Sequence, residues 1–212
     1  MTSKARLARE VRFANDANCF AISEAVDGAG AGAASVFGVI LGTGCGGGIV
    51  VNGRIVNGPR GIGGEWGHNP LPWANADEVG ATTCWCGRPG CLETWISGSG
   101  LARDHQRITG KPLRGEDIVQ LAADGDAEAC ATLARHADRL ARGLSHVVNL
   151  IDPEVIVLGG GLSKLGHLYS DVPGLMERWV FADNPKVTIR PPRWGDASGV
   201  RGAAWLWNDT RD

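Results

Sequence analysis

A short stretch of this sequence gathers side chains that can bind a metal ion and side chains that can act on a polar ligand. One imidazole and three thiols occur at metal-ligand spacing, with a carboxylate on either side: Glu65, His68, Cys84, Cys86, Cys91 and Glu93. A zinc site whose four positions are all filled by His and Cys is structural, because no position stays open for a substrate water. The spacing therefore predicts a structural Zn²⁺ held by His68 and the three cysteines, with the two glutamates as the working groups of a polar pocket.

Two other interpretations of the same residues stay open. The first is three buried cysteines and a hairpin histidine with no metal. The second is a zinc ribbon that binds nucleic acid, but such ribbons usually have a second C-x-x-C pair and a basic surface, and the sequence has neither. If a metal is bound, zinc best suits this set of ligands.

Two glycine-rich segments follow apolar runs of the kind that form buried strands. The first spans residues 42–48 and the second residues 159–161. Such turns expose backbone N–H groups that can hold phosphate oxygens, and α/β sheets bind ligands at the carboxyl ends of their strands. For each segment a packing role alone is an equally good interpretation. The first is not a P-loop, since no Lys-Ser or Lys-Thr pair follows it.

Asn15 and Asp16 stand between a predicted strand and a predicted helix. An Asp at such a place often caps the helix, but at the carboxyl end of a strand it can also act as a general base on a substrate hydroxyl. Glu65 and Glu93 are surface residues by default. Both flank the predicted metal-ligand segment, residues 65–93, which we call the metal stretch. This shared position favours a role in binding the hydroxyl groups of a ligand such as a sugar.

The composition excludes several classes of partner. A net charge of −2 over 212 residues gives no electrostatic reason to expect nucleic acid or an anionic membrane. No run of about 18 apolar residues is present, so no membrane span is expected. The first ten residues carry charges but no apolar core, which does not fit a secretory signal. Clustered thiols that must stay reduced for a metal fit a cytoplasmic protein.

Apolar periodicity predicts strands that alternate with helices, which is typical of an α/β fold. The expected elements are a strand at 11–15, a helix at 17–26, strands at 36–41, 49–51 and 54–56, a long helix at 126–151, a strand at 155–158, a helix at 163–181, a strand at 187–189 and a closing helix at 199–207. Asn52-Gly53 predicts a hairpin turn between the second pair of strands. Residues 57–93 have no helical period, and so long an irregular stretch suggests that a metal orders it.

Together these motifs resemble the ROK family (repressors, open reading frames and sugar kinases), which has the actin-like ATPase, ribonuclease H-like fold. The matching segments occur in the family's order at 15–18, 42–48, 65–68, 84–93 and 157–161. Within the family, the sequence is most similar to the bacterial fructokinase (mannokinase) branch, in the segments 14–19, 23–28, 65–73 and 198–207.

The resemblance implies ATP-dependent phosphorylation of a hexose, fructose or mannose, at its 6-hydroxyl. Asp16 is then the catalytic base and a sugar ligand, and the other sugar ligands are Asn15, Glu65, His68 and Glu93, with His68 also binding zinc. The resemblance implies nucleotide contacts from Gly42, Thr43, Gly44 and Gly46 to the phosphates, and from Gly159, Gly160 and Gly161 to the adenosine. The alternative is a non-catalytic sugar-binding or sensor module of the same family.

The sequence departs from the family at its start. The family's Asp-x-Gly-Gly-Thr turn, which grips ATP phosphate and the magnesium shell, is absent. We therefore expect residues 1–16 to be a remnant of an N-terminal lobe, residues 17–198 to form the C-terminal lobe with a zinc loop at 65–93, and residues 199–212 to be a closing helix that packs on the N-terminal lobe. These departures predict impaired Mg²⁺ binding and turnover, and exposed apolar surface that favours a homodimer or other self-association.

Overall fold

A mixed sheet of five strands lies at the centre of the computed structural model, which describes residues 9–207. Its strands, in chain order, are β1 Ser35–Leu41, β2 Cys45–Val51, β3 Arg54–Ile55, β4 Val155–Gly159 and β5 Ile189–Arg190. Their order across the sheet is β3-β2-β1-β4-β5. The hairpins β1–β2 and β2–β3 are antiparallel, whereas β4 runs parallel to both β1 and β5. The α/β prediction is confirmed.

The α-helices described in residues 9–207 follow the predicted alternation. They are α1 Asp16–Asp27, α2 Glu93–Ile96, α3 Gly98–Thr109, α4 Gly115–Ala123, α5 Ala127–Ile151, α6 His167–Met176 and α7 Ser198–Trp205. Short 3-10 turns occur at Trp66–His68, Gly161–Lys164 and Gly195–Ala197. None of the described helices combines the length and hydropathy needed to cross a bilayer.

Helices cover both faces of the sheet, which explains why β1 and β4 read as continuous apolar runs. On one face, Val36 and Val157 pack with Phe20 of α1 and with Trp205 of α7. On the other face, residues of α5 and α6 pack against the sheet in a larger cluster that includes Phe37, Val39, Ile156 and Leu158. The alternation of side chains along each strand therefore builds two separate cores.

The carboxyl ends of β1 and β4 meet at one edge of the sheet. Because these strands are parallel, Ile40 lies opposite Gly159. The next residue, Gly160, has a φ of 78°, and a Cβ there would lie 2.5 Å from the carbonyl oxygen of Leu41. Only glycine fits this approach. The two glycine-rich segments thus begin side by side, at the place where α/β sheets bind ligands.

Two predicted strands differ near the site. The prediction of a strand at 11–15 is wrong, because no described strand runs beside this segment to pair with it; Arg12 instead donates to the carbonyl oxygen of Leu206. The strand predicted from residue 49 begins at Cys45, so four of the seven residues of the first glycine-rich segment are strand. The reason is packing: a Cβ on Gly48 would lie 2.6 Å from the carbonyl oxygen of Ala17 in α1.

The predicted helix at 163–181 is shorter and starts later. The Ser163 hydroxyl donates to the carbonyl oxygen of Gly160 at 2.7 Å, which closes a 3-10 turn over Gly161–Lys164 before α6 begins at His167. The predicted strand at 187–189 is displaced to Ile189–Arg190, where it pairs with β4.

The closing helix α7 lies tightly against α1. A Cβ on Gly202 would overlap the carbonyl oxygen of Cys19, and the Ser198 hydroxyl donates to Glu24 Oε1 at 2.7 Å. Residues 208–212 of the predicted closing helix, and residues 1–8 of the predicted remnant, lie outside the described residues. Contact of this helix with a further lobe stays a prediction, as do the predicted domain boundaries.

Candidate functional site

An open cleft of about 790 Å³ lies at the carboxyl end of β1. The predicted residues that line it are Asn15, Asp16, Gly42, Thr43, Gly44, Gly46, Glu65, His68 and Glu93. These residues come from four separate parts of the chain. The fold therefore brings together the predicted base, the predicted sugar ligands and the predicted phosphate turn.

The start of α1 presents two polar side chains to this cleft. Asn15 is the helix cap, and its Oδ1 accepts the N–H of Ala17 at 2.8 Å. Asp16 is the first helical residue, is exposed, and also accepts from Ala17 through Oδ1, at 2.9 Å. The capping role considered for Asp16 thus falls chiefly to Asn15. Asn15 Nδ2 in turn donates to Glu65 Oε1 at 3.4 Å, which joins α1 to the metal stretch.

Buried neighbours hold the two glutamates at the cleft. Glu65 precedes Trp66, whose ring packs edge-to-face on Phe37 at 5.3 Å and whose indole N–H donates to the carbonyl oxygen of Gly46. Glu93 is the first residue of α2, and its Oε2 accepts the N–H of Cys45 at 3.0 Å. The Glu93 carboxylate is therefore bonded directly to β2, whereas the backbone of Glu65 is held beside the sheet by Trp66.

The four predicted metal ligands form one cluster. The ligand atoms of His68, Cys84, Cys86 and Cys91 all lie within 4.8 Å of one another. Cys84 Sγ lies 3.6 Å from His68 Nδ1, and Cys86 Sγ lies 3.6 Å from Cys91 Sγ. Ligands about 2.0–2.3 Å from a tetrahedral Zn²⁺ are separated by about 3.3–3.8 Å. The donor set and its spacing therefore fit a closed zinc site.

The ionisation of the thiols in this cluster depends on whether a cation lies between them. Burial, together with the neighbouring thiols of Cys86 and Cys84, raises the pKa of Cys91 to about 12. Three clustered thiols do not all ionise in such surroundings without a positive charge between them. A bound divalent ion reverses this balance, because it deprotonates the thiols that coordinate it.

A buried ion-pair network anchors the irregular stretch to the long helix α5. Arg139 and Arg142 both donate to the carboxylate of Glu78 at 2.8 Å, and Arg139 also contacts Asp104 at 3.0 Å. Burial alone would raise the pKa of Glu78, but the hydrogen bonds from Arg142 and Arg139 outweigh it and lower the pKa from 4.5 to about 2. The network adds a second fixed point beside the metal cluster.

Gly160, the middle residue of the 159–161 segment, lines a different cavity. This cavity has a volume of about 390 Å³ and is lined by Gly160, Ser163, Lys164, Tyr169 and residues of the 191–196 segment. It lies at the end of β4, where Gly160 approaches the carbonyl oxygen of Leu41, the residue before the 42–44 turn. The second glycine-rich segment is thus separated from the sugar side of the site and lies along the same sheet edge.

Several cleft residues received no role from the sequence. Ile62, Asn69, Trp85 and Arg88 also line the cleft. The signal for Trp85 was its place between two metal-ligand cysteines, which fixes its backbone. The other three belong to the irregular stretch, where the sequence carries no periodicity from which to infer which side chains face a ligand.

Comparison with known families decides the relationship. The sequence pattern of the ROK family matches residues 2–210. The chain belongs to the ROK family. Curated ROK relatives include the N-acetyl-D-glucosamine kinases of Yersinia enterocolitica, 41% identical over 204 residues, and of Escherichia coli, 40% identical over 206 residues. These alignments cover 94% and 95% of this chain, and 67% and 68% of the relatives.

Solved ROK structures share the fold. The hexokinase of Thermus thermophilus has a TM-score of 0.84 at 32% identity, covering 95% of this chain and 66% of that one. The Streptomyces griseus glucokinase in complex with glucose and AMPPNP has a TM-score of 0.81 at 29% identity, covering 96% and 70%. This chain spans about two thirds of the length of these relatives. The predicted family and actin-like fold are confirmed, whereas the choice of fructose or mannose stays a prediction.

Proposed function

We propose that this chain carries the sugar-binding and phosphate-facing parts of a ROK hexose kinase, which transfers the γ-phosphoryl group of ATP to the 6-hydroxyl of a hexose. The observation that carries the proposal is the shared cleft. An exposed carboxylate at Asp16 lies there together with the four side chains proposed to bind sugar hydroxyls and with the 42–44 turn. The named kinase relatives support the same reaction class.

Asp16 is the proposed base. Phosphoryl transfer passes through a loose transition state, so catalysis consists mainly of positioning and charge neutralisation. A carboxylate within reach of the attacking hydroxyl orients it and accepts its proton as the bond to phosphorus forms. The exposure of Asp16 at the start of α1 leaves it accessible to a sugar in the cleft.

Asn15, Glu65, His68 and Glu93 are the proposed sugar ligands. Their carboxylate, amide and imidazole groups match the donors and acceptors of sugar hydroxyls. His68 Nδ1 faces Cys84, which leaves Nε2 as the ring nitrogen for the sugar. A zinc ion held by His68 and the three cysteines would supply structural order to this loop and no reactive water.

The nucleotide is proposed to lie along the sheet edge. The Gly42 N–H donates to the carbonyl oxygen of Gly44 at 3.0 Å and so closes the turn. The backbone N–H groups of Thr43 and Gly44, with Gly42 and Gly46 beside them, are proposed to face the phosphates, and the cavity beside Gly160 to receive the adenosine. Mg²⁺ accompanies ATP in this reaction class, and we assign it no ligand among the described residues. Reduced thiols and the use of ATP fit a cytoplasmic enzyme.

The test is a coupled ATP assay with fructose, mannose, glucose and N-acetylglucosamine. The sequence wording favours fructose or mannose, and the relatives named for N-acetylglucosamine or glucose extend the panel. We expect turnover with one of these sugars, a 6-phosphate product by NMR, and loss of turnover in Asp16→Ala. Hexose phosphorylation that persists in Asp16→Ala would contradict the proposed base.

A second candidate is a non-catalytic sugar-binding module. A ROK transcriptional regulator homologous to the Escherichia coli MLC protein shares the fold with a TM-score of 0.80 at 25% identity. In such a module Asp16 is dispensable. Hexose binding with no turnover, and with equal affinity in Asp16→Ala, would favour this candidate over the kinase.

A further inference from the structure

Trp85 is an aromatic side chain in an unusual setting. Its indole is 81% exposed although it lies between the buried Cys84 and the half-buried Cys86. An exposed aromatic ring that lines a polar cleft is available to a ligand there, because the apolar ring gains free energy when a ligand covers it.

Two contacts place Trp85 against proposed sugar ligands. Its indole N–H donates to Glu93 Oε1 at 2.9 Å. Its ring also packs edge-to-face on His68, with centroids 5.0 Å apart. Trp85 lines the main cleft and also a smaller cavity of about 310 Å³ that Ser97 and Arg103 line as well. The ring therefore borders both spaces, as Glu93 does.

The backbone under this ring is fixed. The N–H of Cys84 donates to the carbonyl oxygen of Arg88, and the N–H of Gly87 donates back to the carbonyl oxygen of Cys84, both at 2.9 Å. A ring held on such a turn loses little freedom when a ligand binds.

We propose that Trp85 is a sugar-contacting residue of this cleft. Its ring covers the apolar C–H face of the bound hexose, while its N–H holds the Glu93 carboxylate in position for the hydroxyls. The inference rests on the proposed function, since it takes a hexose as the ligand of the cleft. In this role Trp85 increases the affinity for the sugar and helps to select among sugars, and it takes no part in phosphoryl transfer.

The test measures hexose binding directly, by calorimetry without nucleotide, over fructose, mannose, glucose and N-acetylglucosamine. We expect Trp85→Ala to raise the Kd of the best sugar about tenfold, and Trp85→Phe to lie between the two because it keeps a ring and loses the N–H. Phe181→Ala, which removes an aromatic that is 99% exposed and lies outside the cleft lining, is the control and should bind as the wild type does. Bound zinc and the Tm are measured for each variant.

Each other outcome decides against the inference. Equal affinity in the wild type and both Trp85 variants would overturn it and leave the proposed function standing. Weaker binding that appears only together with lost zinc would overturn it by showing that the ring acts through the loop. If the wild type binds none of the sugars, the proposed function fails and the inference fails with it.

Discussion

Two neighbouring residues, Asn15 and Asp16, separate the capping of α1 from the presentation of a carboxylate to the cleft. The amide of Asn15 caps α1, and the carboxylate of Asp16 is exposed to the cleft. A substitution at Asp16 therefore leaves the principal cap of the helix in place. This separation allows catalysis to be tested without unfolding the element that carries the base.

Asp16→Asn should lower the rate of hexose phosphorylation about 10²–10⁴-fold, the usual contribution of a positioned base. The amide keeps the size of the side chain and its oxygen can still accept from Ala17. The hexose Kd, to which Asp16 contributes as a proposed sugar ligand, should therefore rise about tenfold at most, far less than the rate falls. The coupled assay and calorimetry measure the two quantities separately. Asp124→Asn, at an exposed site at the end of α4, is the matched control. An equal loss of rate in both variants would contradict the role of Asp16.

Residue types and spacing indicated most of the candidate site. The metal ligands and the two glutamates could be named because their chemistry is rare and their spacing is short. Trp85 received no role, since nothing in a sequence says whether a tryptophan beside a cysteine is buried or exposed. Its contact with Glu93 appears only once the turn at 84–88 has folded.

Two groups of interactions fix the position of the irregular stretch at 57–93. One is the cluster of His68 and three cysteines that we predict to bind zinc, and the other is the ion-pair network in which Glu78 binds Arg139 and Arg142 of α5. Buried ion pairs add little net stability when they form, but removing one partner leaves the other charges uncompensated. Both groups of interactions therefore act as fixed points for a segment with little regular structure.

The network predicts an acid-dependent loss of stability. Because the pKa of Glu78 is lowered from 4.5 to about 2, its contribution is complete above about pH 4.5 and is lost as the pH falls towards 2. Glu78→Gln should cost about 3 kcal/mol at neutral pH and should flatten this part of the pH profile. Urea unfolding at a series of pH values measures both effects.

Glu116→Gln is the control for this experiment, since Glu116 pairs with Arg114 at an exposed site. Surface pairs contribute at most about 1 kcal/mol. The account of the network is wrong if the two glutamine variants have the same stability and the same pH profile.

The metal cluster predicts that the purified chain binds one equivalent of zinc. Cys91→Ser removes a buried ligand and should lower the zinc content, the Tm and the hexose affinity together, because the loop carries His68 and Glu93. Cys130→Ser, at an exposed thiol outside the cluster, should leave all three unchanged. Elemental analysis and thermal unfolding provide the measurements. If Cys91→Ser keeps the zinc content, the Tm and the hexose affinity of the wild type, no metal held by Cys91 orders this loop.

Elements with strong periodicity were predictable, and those governed by packing were not. The long helix α5 and strand β4 were identified within one residue because their apolar patterns are continuous. The start of β2 could not be predicted from the sequence, since glycine has a low strand propensity. These glycines are required by the close approach of α1, which only the folded structure shows. The segment at 11–15 has a strand-like composition, but a strand also needs a partner, and the described chain provides none beside it.

The layer of helices on each face of the sheet leaves the carboxyl ends of β1 and β4 open at one edge of the molecule. The parallel pair β1 and β4 brings the 42–44 turn and the 159–161 corner together, and α1 and the metal stretch enclose the sugar side of that edge. Since the chain spans about two thirds of its ROK relatives, the activity of the complete site remains a proposal.

Exposed apolar side chains predict self-association. Phe13 is 75% exposed and Val200, on α7, is 79% exposed. We expect a concentration-dependent sedimentation coefficient, because association covers such apolar surface. The double variant Phe13→Ser with Val200→Ser should shift the chain towards monomer, whereas Phe181→Ser should not. A wild-type chain that stays monomeric at all concentrations would contradict this prediction.

We propose that the cleft at the carboxyl end of β1 binds a hexose through the residues beside the cluster of His68 and the three cysteines. Calorimetric titration of the zinc-loaded chain with the four sugars tests it most directly, in parallel with Glu65→Gln, which removes one charged hydroxyl acceptor. The account predicts one hexose bound per chain, with at least about tenfold weaker binding in the variant. Unchanged affinity in Glu65→Gln, or no heat of binding with any of the four sugars, would contradict it.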